Sequence, residues 1–237
     1  MAGTATGEGR ASAFRMMGVI KAVVFDVGET LVDETREYGT WAEWLGVPPH
    51  AFSAVFGAVI ALGMDYREAF QYFQPGFSLD VERARRVAVG QGETFGEGDL
   101  YPDARPAMGA LRAMGVWVGV AGNQTSRAGA ILRKLDLPAD MIATSDDWKA
   151  SKPEESFFRV LLREAPFRAD EIVYVGDRLD NDLMPAKNAG LRTAFIRRGP
   201  WGYIWERHPD LPRWADWQMT SLAELPGLVA GVNSSGR

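Results

Sequence analysis

Asp26 closes the apolar run Val23-Val24-Phe25 and is followed by the turn-like segment Val27-Gly28-Glu29-Thr30-Leu31. In a parallel α/β sheet, ligands gather outside the carboxyl ends of the strands, so a carboxylate placed there is available for chemistry. A second apolar run, Tyr174-Val175-Gly176, ends in Asp177, with Asp182 five residues further on. Two acidic strand ends in one sheet can share a hard cation such as Mg2+, which prefers oxygen ligands. Lys152, in Ser151-Lys152-Pro153, adds a positive charge able to neutralise a phosphoryl group. Taken alone, Lys152 reads as a solvated surface lysine. The carboxylates around it in the pattern give it meaning.

Positioning these groups requires buried strands. Short apolar, β-branched runs recur at residues 19–25, 116–120, 141–143, 172–175 and 193–196, and they read as strands. Helical patterns fall between the later ones, at residues 104–114, 126–135, 154–163 and 183–189, with Pro153 suited to a first helical turn and Gly190 to a C-terminal cap. Alternating strands and helices predict parallel pairing with right-handed crossovers, hence an α/β fold with a three-layer Rossmann-like core. Residues 33–103 break the alternation. Four helix-like stretches, at 34–45, 49–62, 67–73 and 81–91, carry no convincing strand. Tyr38, Trp41 and Leu45 share one face, as do Phe52, Phe56 and Val59, which favours a helical bundle core over an aromatic ligand cage. The resulting division is a core of residues 18–32 and 104–230, an inserted helical domain of 33–103, a disordered tail at 1–17 and an unstructured C-terminal tail at 231–237.

Composition narrows the chemistry. The chain has 237 residues, no cysteine and two histidines, His50 and His208, which removes thiol nucleophiles, disulfides, zinc–thiolate sites and histidine-rich metal clusters. A net charge of -5 without a long basic run argues against a nucleic-acid partner. No apolar stretch approaches the ~20 residues of a membrane span, and the opening segment lacks the apolar centre of a secretory signal. A cytoplasmic protein with no membrane or nucleic-acid partner is expected, and the sequence carries no signal for oligomeric state.

The order and spacing of these motifs, from about Val19 to Leu225, resemble the haloacid-dehalogenase superfamily. Asp26 matches its nucleophile, Thr30 its motif-one threonine, Lys152 its motif-three lysine, and Asp177 and Asp182 its motif-four acidic pair. The helical insert is similar to that family's first class of cap domain. The resemblance implies a Mg2+-dependent hydrolase acting on a small phosphorylated molecule. Asp26 would attack phosphorus to give an aspartyl-phosphate, with the metal held by Asp26, the Gly28 carbonyl and Asp177, and with Asp182 ligating or orienting a metal-bound water. Lys152 would offset charge on the transferring group.

Two positions depart from the family pattern. Its phosphatases carry a proton-transferring aspartate two residues after the nucleophile, where this chain has Gly28. Glu29 is a conceivable substitute, although a solvent-facing turn glutamate is the plainer reading. Gly122 stands where motif two has Ser or Thr, leaving its backbone N–H and Asn123 as phosphate donors, with Thr125 or Ser126 nearby. Gly28 also suits a 2-haloacid dehalogenase, which needs no such acid, but that branch lacks the acidic pair kept here in Asp177 and Asp182. A phosphonoacetaldehyde hydrolase is disfavoured because residues 33–103 contain no lysine. A binding protein that has lost turnover is opposed by four polar groups that fold alone does not require. Arg36, Arg67 and Tyr66 are candidate substrate contacts, and Trp201, Trp205, Trp214 and Trp217 either pack a long loop or form a partner surface.

Overall fold

A computed structural model describes residues 18–235; the tail expected at 1–17 lies outside them. The chain enters at β1 (Ala22–Phe25), then runs through four consecutive helices, α1 (Thr35–Leu45), α2 (Pro49–Ala61), α3 (Glu68–Phe73) and α4 (Leu79–Ala88). Alternation follows: α5 (Ala104–Ala113), β2 (Trp117–Gly122), α6 (Ser126–Lys134), β3 (Met141–Thr144), α7 (Ser145–Trp148), α8 (Glu155–Glu164) and β4 (Ile172–Gly176). A π-helical turn at Leu179–Leu183 leads into α9 (Met184–Asn188), β5 (Arg192–Ile196), α10 (Gly199–Trp205), α11 (Leu211–Trp214), β6 (Trp217–Met219) and α12 (Leu225–Ser235).

The six strands form one sheet in the order β3-β2-β1-β4-β5-β6, and every pairing is parallel. All four residues of β1 and all five of β4 are buried, as expected of central strands covered on both faces. On one face Val23, Phe25, Val118 and Val120 pack with Met108, Leu111 and Leu132 from α5 and α6 and with Val229 from α12. On the other face Val24 and Tyr174 pack with Phe157, Phe158 and Ala186 from α8 and α9. The chain builds outward from β1 to β3 and then returns to place β4 on β1's other edge. That reversal opens a crevice at the carboxyl ends of β1 and β4.

Helices α1 to α4 have their own core, in which Trp41, Phe52, Phe56, Val59 and Phe70 are buried together. The aromatic stripes of the sequence are therefore mainly packing stripes, although Tyr38 and Trp41 also reach a cavity wall. Among the described residues no single helix is long and apolar enough to cross a membrane.

Three expectations need correction. Residues 231–235 are not a tail, because α12 extends to Ser235. Leu225 and Val229 anchor it one turn apart, and the Asn233 amide accepts from the Ile20 N–H (2.7 Å) and donates to the Ile20 carbonyl (2.9 Å). Pro153 lies before α8, whose first helical residue is Glu155. Finally, β6 is an edge strand that the sequence patterning did not reveal.

Candidate active site

Asp26 leaves the sheet with its backbone N–H still bonded to the Val175 carbonyl at 2.9 Å, so the end of β4 fixes the stem of the carboxylate. Its Oδ1 lies 2.7 Å from Lys152 Nζ, which is 2.6 Å from Asp182 Oδ1 on its other side. Lys152 is 4% exposed and Asp182 fully buried. A buried ammonium is tolerable only when ion-paired in this way. Burial alone would favour the neutral amine, but Asp182 and Asp26 overrule it and hold Lys152 well above the ordinary lysine range.

The segment carrying Lys152 is clasped by Asn123. The Asn123 amide donates to the Lys152 carbonyl at 2.8 Å and accepts from the Lys152 N–H at 2.7 Å. Both ends of the Asn123 amide thus hold the backbone of the lysine. Asp182, in the π-helical turn, accepts from the Arg178 N–H at 3.0 Å through its second oxygen. Glycines at the strand ends permit this crowding: a Cβ at Gly122 would press on Asp26 Oδ1, and one at Gly176 on the Asp182 carboxylate.

Carboxylate oxygens of Asp26, Asp177 and Asp182, one from each, lie within 4.8 Å of one another. Three carboxylates face one ammonium, and Asp177 Oδ2 is buried without a hydrogen-bond partner among the described residues. Burial, reinforced by Asp182 and Asp26, pushes the Asp177 carboxyl well above the usual carboxylate range; burial likewise raises Asp26 to about 6 despite Lys152. An all-oxygen, electron-rich cluster with an unpartnered oxygen fits a divalent cation.

The cluster opens into a cavity of about 280 Å³ between the sheet and helices α1 to α4, walled by Asp26, Gly28, Asn123, Lys152 and Asp177 and roofed in part by Tyr38 and Tyr66. Thr30, Gly122 and Asp182 do not reach its wall. The Thr30 hydroxyl is buried without a partner among the described residues, while its carbonyl accepts from Arg198 at 2.8 Å. Of the three candidate substrate contacts, Tyr66 lines the cavity. Arg36 is engaged by Asp99 and Arg67 by Asp65.

Glu29 is not a solvent-facing turn residue. It is 5% exposed, sits at φ 51° and accepts from the Tyr101 hydroxyl at 2.6 Å. Two further groups on the cavity wall were not singled out by the sequence. Arg178 pairs with Asp180 at 2.8 Å and lies 4.6 Å from the centre of the Trp201 ring. Glu34, the residue just before α1, turns its carboxylate back over Gly28: a Cβ built there would lie 2.5 Å from Glu34 Oε1 and 2.8 Å from Cδ. The glycine at position 28 was itself the only available signal, since a missing side chain leaves a volume for another to fill.

Residues 20–190 match the family model of a haloacid dehalogenase-like hydrolase. The chain is 33% identical over 216 residues to the glyceraldehyde 3-phosphate phosphatase of Methanopyrus kandleri, covering 81% of this chain and 90% of that protein. It is 27% identical over 235 residues to the enzyme of the same name from Pyrococcus furiosus, covering 92% and 96%. Among solved structures, a HAD-hydrolase of Bacillus subtilis bound to magnesium superposes with a TM-score of 0.67 at 19% identity, over 90% of this chain and 99% of that one.

Proposed function

The chain belongs to the haloacid dehalogenase-like hydrolase family, and from that premise we propose that it is a phosphatase of small phosphorylated metabolites, with Asp26 as the nucleophile. The observation that carries this reading is the Asp26–Lys152–Asp182 ion-pair chain, whose Asp26 and Lys152 line the cavity and whose Asp182 lies behind them. Asp26, Asp177 and Asp182 would hold a Mg2+ ion, which when bound screens repulsion between the carboxylate and the phosphoryl group.

This chain's own residues account for the remaining requirements. Lys152 keeps Asp26 ionised and aimed, and places positive charge beside the oxygens of the transferring group. Asn123 fixes Lys152 from behind. In the first step an Asp26 oxygen bonds to phosphorus as the ester oxygen departs. In the second, water attacks phosphorus and frees the Asp26 carboxylate with inorganic phosphate. Helices α1 to α4 act as a cap, excluding bulk water and bringing Tyr38 and Tyr66 to the substrate side of the cavity. The names of the two relatives make a phosphorylated three-carbon aldehyde the first substrate to test.

The decisive variant is Asp26→Asn, which preserves shape and loses the nucleophile. Phosphate release should fall to background while the thermal midpoint stays within a few degrees of wild type, and retained turnover would remove the mechanism. Excess chelator should silence the wild type. Undiminished activity in chelator, with halide released from a 2-haloacid, would instead establish the metal-free dehalogenase reading.

A further inference from the structure

Breaking a phosphate ester of an alcohol requires a proton for the departing oxygen, and none of the groups yet assigned supplies one. Lys152 is locked between two carboxylates, and Asp26 bonds to phosphorus. Neither His50 nor His208 lines the cavity. Glu29 is engaged by Tyr101, Glu37 by Arg86 at 3.2 Å, and Glu93 by the Thr125 hydroxyl at 2.8 Å. Glu34 lines the same wall as Asp26 and Gly28.

We propose that Glu34 is the general acid and base of this site, delivering from the start of α1 a carboxyl group into the space that a side chain on residue 28 would fill. The separation of 2.5 Å between Glu34 Oε1 and the Cβ position of residue 28 is comparable to that between Cβ and a carboxylate oxygen within an aspartate. The oxygen therefore stands at the radius an aspartate at 28 would give it. Glycine at 28 leaves this space open; a larger side chain there would have to displace the Glu34 carboxylate.

The assignment rests on the phosphatase reading, and the steps balance as follows. As Asp26 Oδ bonds to phosphorus and the P–O ester bond breaks, the protonated Glu34 carboxyl gives its proton to the departing alkoxide, releasing an alcohol. The Glu34 carboxylate then takes a proton from water as the water oxygen bonds to phosphorus. The Asp26–phosphorus bond breaks, phosphate leaves, and Glu34 is protonated for the next cycle.

The test compares wild type, Glu34→Gln and the double variant Gly28→Asp/Glu34→Ala, with magnesium present, on glycerol phosphate and on 4-nitrophenyl phosphate. Glu34→Gln should lower kcat on the alkyl ester by about 10²–10⁴-fold. On the aryl ester, whose leaving group needs no proton, it should release a burst of nitrophenolate matching the enzyme concentration and then turn over slowly, because attack by water still lacks its base. The double variant returns a carboxylate to the same space with the obstructing side chain removed, and should recover part of the alkyl rate. Alkyl turnover by Glu34→Gln within about threefold of wild type, or equal losses on both esters with neither burst nor rescue, overturns the assignment alone. Failure of the wild type to release phosphate from either ester overturns the phosphatase reading, and this assignment with it.

Discussion

Lys152 shows how tightly electrostatics and packing are joined at the scale of single residues. Lys152→Met would leave the carboxylates of Asp26 and Asp182 buried without their shared cation, a loss of about 3–5 kcal/mol, readable as a lowered midpoint in urea. A second prediction concerns Gly122. Restoring the family's serine there should reduce turnover, because the new Cβ would meet Asp26 Oδ1 and push the nucleophile off Lys152. A faster Gly122→Ser enzyme would mean that Asp26 has room to spare. Asp26 and the Asp177–Asp182 pair were legible in the sequence because they follow buried strands at a motif spacing, and Lys152 because it stands in the Ser151-Lys152-Pro153 loop ahead of α8 at the spacing the family motif sets. Glu34 was not, because its contribution depends on the chain folding back over Gly28, a relation between residues that no local pattern encodes. Asn123 was placed in the site, but its clasp on the backbone of Lys152, which is remote in sequence, was not foreseen.

Between elements, the link that matters most for the site ties the start of α5 to the strand ends. Asp103 Oδ2 accepts from Arg198, from the Ser221 hydroxyl at 2.6 Å and from the Leu222 N–H at 2.9 Å. The same Arg198, which follows β5, donates to the Thr30 carbonyl, so its guanidinium joins the loop after β1 to Asp103, and Asp103 in turn holds the segment after β6. Burial would raise the Asp103 carboxyl, but Arg198 and the other donors outweigh it and hold it below the usual range. A depressed folded value means that the interaction contributes fully above the unfolded value of about 3.9 and is lost as pH falls through the folded one. Asp103→Asn should therefore lose about 2 kcal/mol near neutrality, a gap that narrows below about pH 4. A pH-independent gap would assign the loss to packing. The element that sequence patterning missed, β6, has three residues and pairs only at the sheet edge. Its position is set by tertiary contacts. Helix α12 was hidden for a different reason: Ser234 and Ser235 read as loop formers, yet their hydroxyls bond back to the Ala230 and Gly231 carbonyls four residues earlier, a pairing that helices accommodate.

The molecule as a whole encloses its cavity only because the helical unit and the sheet are held together over it, and Trp201 is the principal apolar link. It belongs to α10 on the sheet side, yet its ring meets Phe56 edge-on at 5.2 Å and Tyr66 at 6.0 Å within the helical unit, and Arg178 lies against it. With Trp201 8% exposed, little of its ring faces outward to a partner. Trp201 also lines the cavity but forms no bond to Asp26, Lys152 or Asp182, so its removal should spare the phosphoryl chemistry and loosen the enclosure. Trp201→Ala should cost about 3 kcal/mol of stability. It should raise KM for a small phosphorylated substrate by about tenfold while holding kcat within about threefold. Phe56→Ala, on the other side of the contact, should give a similar rise in KM. If the two rings act through each other, the double variant should fall short of the summed single effects by about 1 kcal/mol. Full additivity would show that each ring supports the cavity independently. A collapse of kcat comparable to that of Asp26→Asn would place Trp201 in the chemistry itself and refute its role as a link between the two halves.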